Sequence, residues 1–221
     1  MEWEMKLLSK LTLGTLLVAV GGYASAADLL VKGTIVPASC TLSLQNGGVV
    51  DYGKIRAASL SPNGYTRLPA RGVPFSVNCD GGTRVGVKTL DNRAASKVPG
   101  ILQTAIGSAY GDTYNYGLGM TTGGQRIGGY ALTIKDSVAD FPLVNTIVSS
   151  NNGLSWSRGN GALGQYQNIM SWSGFFATHP ASVQRVTGTL EVQAVINRTS
   201  ELDVTQEVFL DGLATLELRY L

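Results

Sequence analysis

The chain has 221 residues, a net charge of +2, and only 14% of its residues are Asp, Glu, Lys or Arg. So slight a charge bias excludes a basic nucleic-acid binder. One histidine and two cysteines leave little material for metal or nucleophilic chemistry, so neither a metal site nor a cofactor is expected.

Residues 1–26 read as an export signal. Lys6 and Lys10 precede an apolar run from Leu11 to Val20, and Ala24-Ser25-Ala26 places small side chains at the expected cleavage site, which makes Ala27 the expected mature start. The run is shorter than the roughly 20 apolar residues that span a bilayer. Within the signal Glu2 and Glu4 balance the two lysines, so the +2 charge belongs to the remainder. Residues 27–221 suit one domain with a single core. Export places Cys40 and Cys79 in an oxidising compartment, where they are expected to pair. Closing a loop of that length removes unfolded-chain entropy worth about 4 kcal/mol.

Beyond the signal the hydrophobic period is two rather than 3.6. Leu42 and Leu44 continue a face from Cys40. Val73, Phe75 and Val77 lead in step to Cys79, and Val85 and Val87 follow. Tyr130, Leu132 and Ile134 alternate, as do Leu190, Val192, Ala194 and Ile196, and finally Ala214, Leu216, Leu218 and Tyr220. Turn formers separate these runs: Asn46-Gly47-Gly48, Ser61-Pro62-Asn63-Gly64, Asp80-Gly81-Gly82 and Gly123-Gly124. The pattern predicts an all-β sandwich of antiparallel strands. The stretch 92–174, rich in Gly, Ser, Asn and Tyr, is expected to be a loop-rich insertion within that domain.

Catalysis finds few candidates. His179 lies in Thr178-His179-Pro180 without a nucleophile motif and reads as a turn residue, and Asp136 and Asp140 read as loop carboxylates. The chain is therefore expected not to be an enzyme. Aromatic residues of the middle, Trp156, Trp172, Tyr114 and Tyr116 with Phe175 and Phe176, offer two readings, core or a ligand surface for glycans.

Val31-Lys32-Gly33-Thr34-Ile35-Val36-Pro37-Ala38-Ser39-Cys40 resembles the first strand of chaperone–usher pilins running into a disulfide cysteine. Asp51-Tyr52-Gly53-Lys54-Ile55 is similar to the strand that follows, and Phe75-Ser76-Val77-Asn78-Cys79-Asp80 to the strand carrying the second cysteine. Ala214 through Leu221, with Tyr220 penultimate, resembles the last pilin strand. Within that superfamily the chain is most similar to the GltF-like group of fimbria-related exported proteins.

The resemblance implies an immunoglobulin-like sandwich that lacks its final strand. Leu216, Leu218 and Tyr220 would line the open groove, and Cys40 and Cys79 would staple the first strand to its neighbour. The groove would be filled first by a periplasmic fimbrial chaperone and then by a strand from another fimbrial subunit. The setting implied is the periplasm and, beyond it, the fimbrium or cell surface. With a first strand beginning near Val31, little chain precedes it to serve as a donor. This predicts a chain-end subunit, or one whose long middle fills its own groove. The rival expectation is a periplasmic or surface adhesin that binds a glycan or host surface through the aromatic middle.

Overall fold

The computed structural model describes residues 29–36, 38–140 and 144–221. The expected export signal lies outside them. The chain divides after Val36 into two units. Of the first, residues 29–36 have no regular secondary structure, and Leu29, Leu30, Val31, Ile35 and Val36 are exposed.

The second unit holds the strands. In chain order they are β1 (Cys40–Leu44), β2 (Thr66–Arg67), β3 (Arg71–Thr83) and β4 (Val85–Asp91), then a short helix α1 (Ile101–Ala105). There follow β5 (Tyr116–Gly117), β6 (Gly128–Ala139), β7 (Val144–Ser149), β8 (Ser157–Arg158), β9 (Ile169–Gly174), β10 (Val183–Ile196) and β11 (Ala214–Tyr220). Two antiparallel sheets result. One runs β1-β3-β10-β6-β5, with β2 also on β10; the other runs β11-β4-β9-β7-β8.

Inward-facing residues of both sheets form the main core, in which Phe75, Val77, Val85, Val87, Leu132, Ile134, Trp172 and Val186 are buried. They are the alternating positions of their strands, because side chains i and i+2 share a sheet face. The Trp172 ring stacks on Phe75 with centroids 6.1 Å apart. Cys40 pairs directly with Cys79 across β1 and β3, and the two are joined as a disulfide with their Cα atoms 4.0 Å apart.

Several local expectations are corrected. The first strand begins at Cys40, not near Val31. Residues 51–55 form no strand; Gly53 sits at φ 65°, and its backbone N–H is held by the Asp51 carboxylate at 2.7 Å, an Asx-type turn that stops an extended run. Asp80-Gly81-Gly82 lies inside β3, because Asp80 N–H bonds the Ser39 carbonyl at 3.0 Å and continues the ladder past the cysteines. Within 92–174 the strands β6, β7 and β9 belong to the two sheets, so irregular chain is concentrated in 92–127 and 150–168.

Residues 92–127 cover one part of the sandwich. Val98, Ile101 and Leu102 pack against Ala131 of β6 and Val195 of β10, all buried. Ala131 and Val195 lie on the opposite strand face from the main core, which explains why β6 is buried on both sides from Gly128 to Ile134. Gly117 admits the close approach this needs: a Cβ there would collide with the Ser96 hydroxyl and the Arg93 carbonyl. An ion pair between buried Asp91 and partly buried Lys97 fixes the segment, with Lys97 Nζ 3.6 Å from the Asp91 carboxylate and 2.7 Å from Gln165 Oε1. Asp91 also accepts from the backbone N–H of Arg93 at 2.8 Å and of Gly117 at 3.0 Å.

Candidate functional site: an open edge of the sandwich

β1 and β11 stand at corresponding ends of their sheets. Each is paired on one side only, β1 with β3 and β11 with β4. Among the described residues, no strand pairs with the other side of either. The two edges meet at one end, where the Cys40 backbone N–H donates to the Tyr220 hydroxyl at 2.8 Å.

The side chains beneath this seam are uncovered. Leu42 and Leu44 of β1 and Ala214, Leu216 and Leu218 of β11 pack on the main core yet remain only partly buried. An inward-facing leucine at the centre of a completed sandwich would be closed off on all sides, as Leu132 and Leu190 are here. Tyr220 continues the same face of β11 and is 50% exposed.

Away from the Cys40–Tyr220 end, the segments that follow β1 and precede β11 extend the seam. Val50, Tyr52, Ile55, Val204, Val208 and Leu210 are again partly buried against the core. They line a cleft of about 680 Å³ with Ile127, Ile196 and Leu202 beneath. Tyr52 anchors one wall: its hydroxyl donates to the Val192 carbonyl at 3.1 Å and accepts from the Ala194 N–H at 3.3 Å. Burial pushes its phenol pKa up, against the opposing effects of the Ala194 hydrogen bond and nearby Arg71. Asp51, Lys54, Thr205 and Glu207 also line the cleft. The unpaired edges of β1 and β11, above half-covered leucines, are suited to backbone pairing with a further extended chain.

The structure brings Leu216, Leu218 and Tyr220 together with Cys40 at this seam, and Cys79 joins them through the disulfide. The wall formed by 204–210 was not anticipated, although Val204, Val208 and Leu210 fall at even spacings that carry the same signal as a strand.

The aromatic residues separate. Trp172 and Tyr116 are core residues, 1% and 0% exposed, so they form no ligand surface. The Trp172 indole N–H donates to Ser137 Oγ at 3.1 Å, and the Tyr116 hydroxyl donates to the Leu163 carbonyl at 3.0 Å. Burial raises the Tyr116 and Tyr130 phenol pKa values well above the usual range. Trp156 is partly buried and bonds the Gly153 carbonyl at 3.1 Å; Tyr114 is partly buried, edge-on to Tyr110 with centroids 6.3 Å apart. Phe176 is 91% exposed. His179 is exposed in a bend, and Asp140 accepts from the backbone N–H of Gln184 at 3.0 Å.

These features define the class: an all-β, disulfide-stapled two-sheet sandwich whose β1/β11 edge leaves core leucines half-covered. Residues 29–131 match a family model described as a protein of unknown function (DUF1120). The chain is similar to the protein GltF of Escherichia coli (strain K12), 26% identical over 223 residues that cover 88% of each chain. It is also similar to the uncharacterized protein YhcF of the same strain, 28% identical over 90% of this chain and 93% of the relative.

Proposed function

We propose that this protein is a non-enzymatic fimbrial-type subunit, exported to the periplasm, that works by accepting a β-strand from a partner along the β1/β11 seam. The observation that carries this reading is the pair of facing, unpaired sheet edges above half-covered leucines. A strand laid there would gain backbone hydrogen bonds from both banks. It would also bury apolar side chains worth roughly 1.5–3 kcal/mol each when fully enclosed. A periplasmic chaperone would occupy the seam first, and the N-terminal segment of another subunit would replace it.

The same reading gives residues 29–36 a role. With β1 starting at Cys40, a segment free of regular structure precedes the first strand, with Leu29, Val31, Gly33 and Ile35 at alternate positions. That alternation suits a donor strand, so the chain could give as well as receive, and a place inside a fibre is open to it alongside a place at the end. Self-completion by the middle gains no support, because β5 and residues 161–163 bond to β6, in the strand order far from β1.

Purification of the tagged chain from periplasm under oxidising conditions, with intact-mass analysis, tests the reading. The expected result is a one-to-one complex with a chaperone-sized partner, released by a peptide of sequence 29–39. A disulfide-bonded monomer with no partner, indifferent to that peptide, would contradict it.

A further inference from the structure

A second cleft lies away from the seam, where the end of β6 parts from β7 and β8. It has a volume of about 340 Å³, and its walls include Lys135, Asp136, Asn145, Thr146 and Arg158 over Ile134. That volume falls at the small end of the roughly 300–1,000 Å³ typical of small-molecule sites.

A bulge shapes this cleft. The β10–β6 register runs from Thr189 opposite Lys135 to Thr187 opposite Val138, so β6 carries an extra residue there. Asp136 takes up the difference at φ 49°, the left-handed region. Gly188 makes room on the facing strand, since a Cβ at that position would stand 2.8 Å from the Lys135 carbonyl oxygen. Bulging lets Ser137 turn its hydroxyl to the indole N–H of buried Trp172 at 3.1 Å, while Asp136 is left exposed at the cleft wall.

Two of the cleft's side chains hold an aromatic pair at its side. Asn145 Nδ2 donates to the Phe175 carbonyl at 2.9 Å, Arg158 donates to the same oxygen, and its guanidinium lies 5.8 Å from the Phe175 ring centroid. The Phe175 and Phe176 rings meet edge to face with centroids 5.0 Å apart. Phe175 is 45% exposed and Phe176 91%. A phenylalanine as exposed as Phe176 contributes almost nothing to the core.

We infer that this cleft and the Phe175–Phe176 pair form a binding site for a short saccharide. The chemistry matches on both sides. An exposed ring face suits the C–H face of a pyranose, while the Asp136 carboxylate, the Lys135 ammonium and the Asn145 amide oxygen offer acceptors and donors to its hydroxyl groups. Opposite charges side by side favour a polyhydroxylated neutral ligand over a simple anion or cation. The site is independent of strand acceptance: its residues lie on β6, β7, β8 and the loop after β9, none of them on β1 or β11.

The test uses the full oxidised mature chain on an array of immobilised mono- to tetrasaccharides, followed by NMR titration with the best-bound sugar. Phe176→Ala and Asp136→Asn, both at exposed positions, are the variants. Expected are amide shifts confined to residues 134–137, 144–146, 158 and 174–177, and a loss of affinity on the order of tenfold in Phe176→Ala, with the melting temperature unchanged. Absence of binding to any arrayed saccharide, shifts centred elsewhere, or full affinity retained in both variants would overturn the inference. A melting temperature lowered along with affinity in Phe176→Ala would also count against it, because the ring would then be a structural one.

Discussion

The two ends of the strand order are finished in opposite ways. Beyond β6, short pieces of the chain's own middle complete the sheet: β5 pairs with residues 129–130, and the Leu163 N–H bonds the Leu132 carbonyl at 2.9 Å. The segment that delivers β5 is locked by the pair between buried Asp91 and Lys97 and by Ile101 and Leu102, each 0% exposed. At β1 and β11 the chain supplies no such piece among the described residues, and the leucines there are left half-covered. Open apolar edges are hazards that natural sheets otherwise cover or charge, so the half-covered leucines of β1 and β11 suit a role for that edge, whereas the terminal strand β8 of the second sheet is short, polar and exposed.

Substitutions should sharpen this contrast. The largest effect is expected at Lys97→Met, which leaves the buried Asp91 carboxylate without its counter-charge and should cost about 3–5 kcal/mol by denaturant unfolding. Next is a matched pair. Leu102→Ala on the closed side should cost roughly 2–5 kcal/mol, whereas Leu216→Ala at the seam should cost about 1 kcal/mol, because part of that side chain is already in water. If both cost the same, the seam is not open. Tyr220→Phe removes the acceptor for the Cys40 N–H and should cost about 1 kcal/mol or less, seen as faster hydrogen exchange at Cys40.

The smallest effect near neutrality is that of alkali on the closed side. Tyr116 and Tyr130 have folded-state pKa values raised by burial. Protons therefore leave the unfolded chain first as pH rises past about 10, the ordinary tyrosine value. Their contribution to stability is complete below that pH and is lost progressively above it. Tyr116→Phe should flatten the alkaline limb of a stability–pH curve.

Much of the sandwich was legible because period-two patterning is local. β1, β3, β4, β6, β10 and β11 all carry it, and the cysteines fell on paired strands. Residues 31–36 and 51–55 show similar spacing without forming strands, since pairing depends on a distant partner that local patterning does not specify. The closed edge was the least legible part. Its Gly- and Asn-rich composition reads as loop, yet Asn115 is fully buried and donates to the Val98 carbonyl at 2.9 Å, a role only tertiary packing creates. For the open seam, Leu216, Leu218 and Tyr220 were readable from alternation and likeness together, while Val204, Val208 and Leu210 were hidden in a segment without a regular strand.

The most direct test is hydrogen exchange on the oxidised mature chain with and without a synthetic peptide of sequence 29–39. Strand acceptance predicts that the peptide slows exchange of amides in 40–44 and 214–220 and raises the melting temperature, and that Leu216→Asp abolishes both effects. Unchanged exchange at these two strands, with the peptide unbound or bound elsewhere, would contradict it.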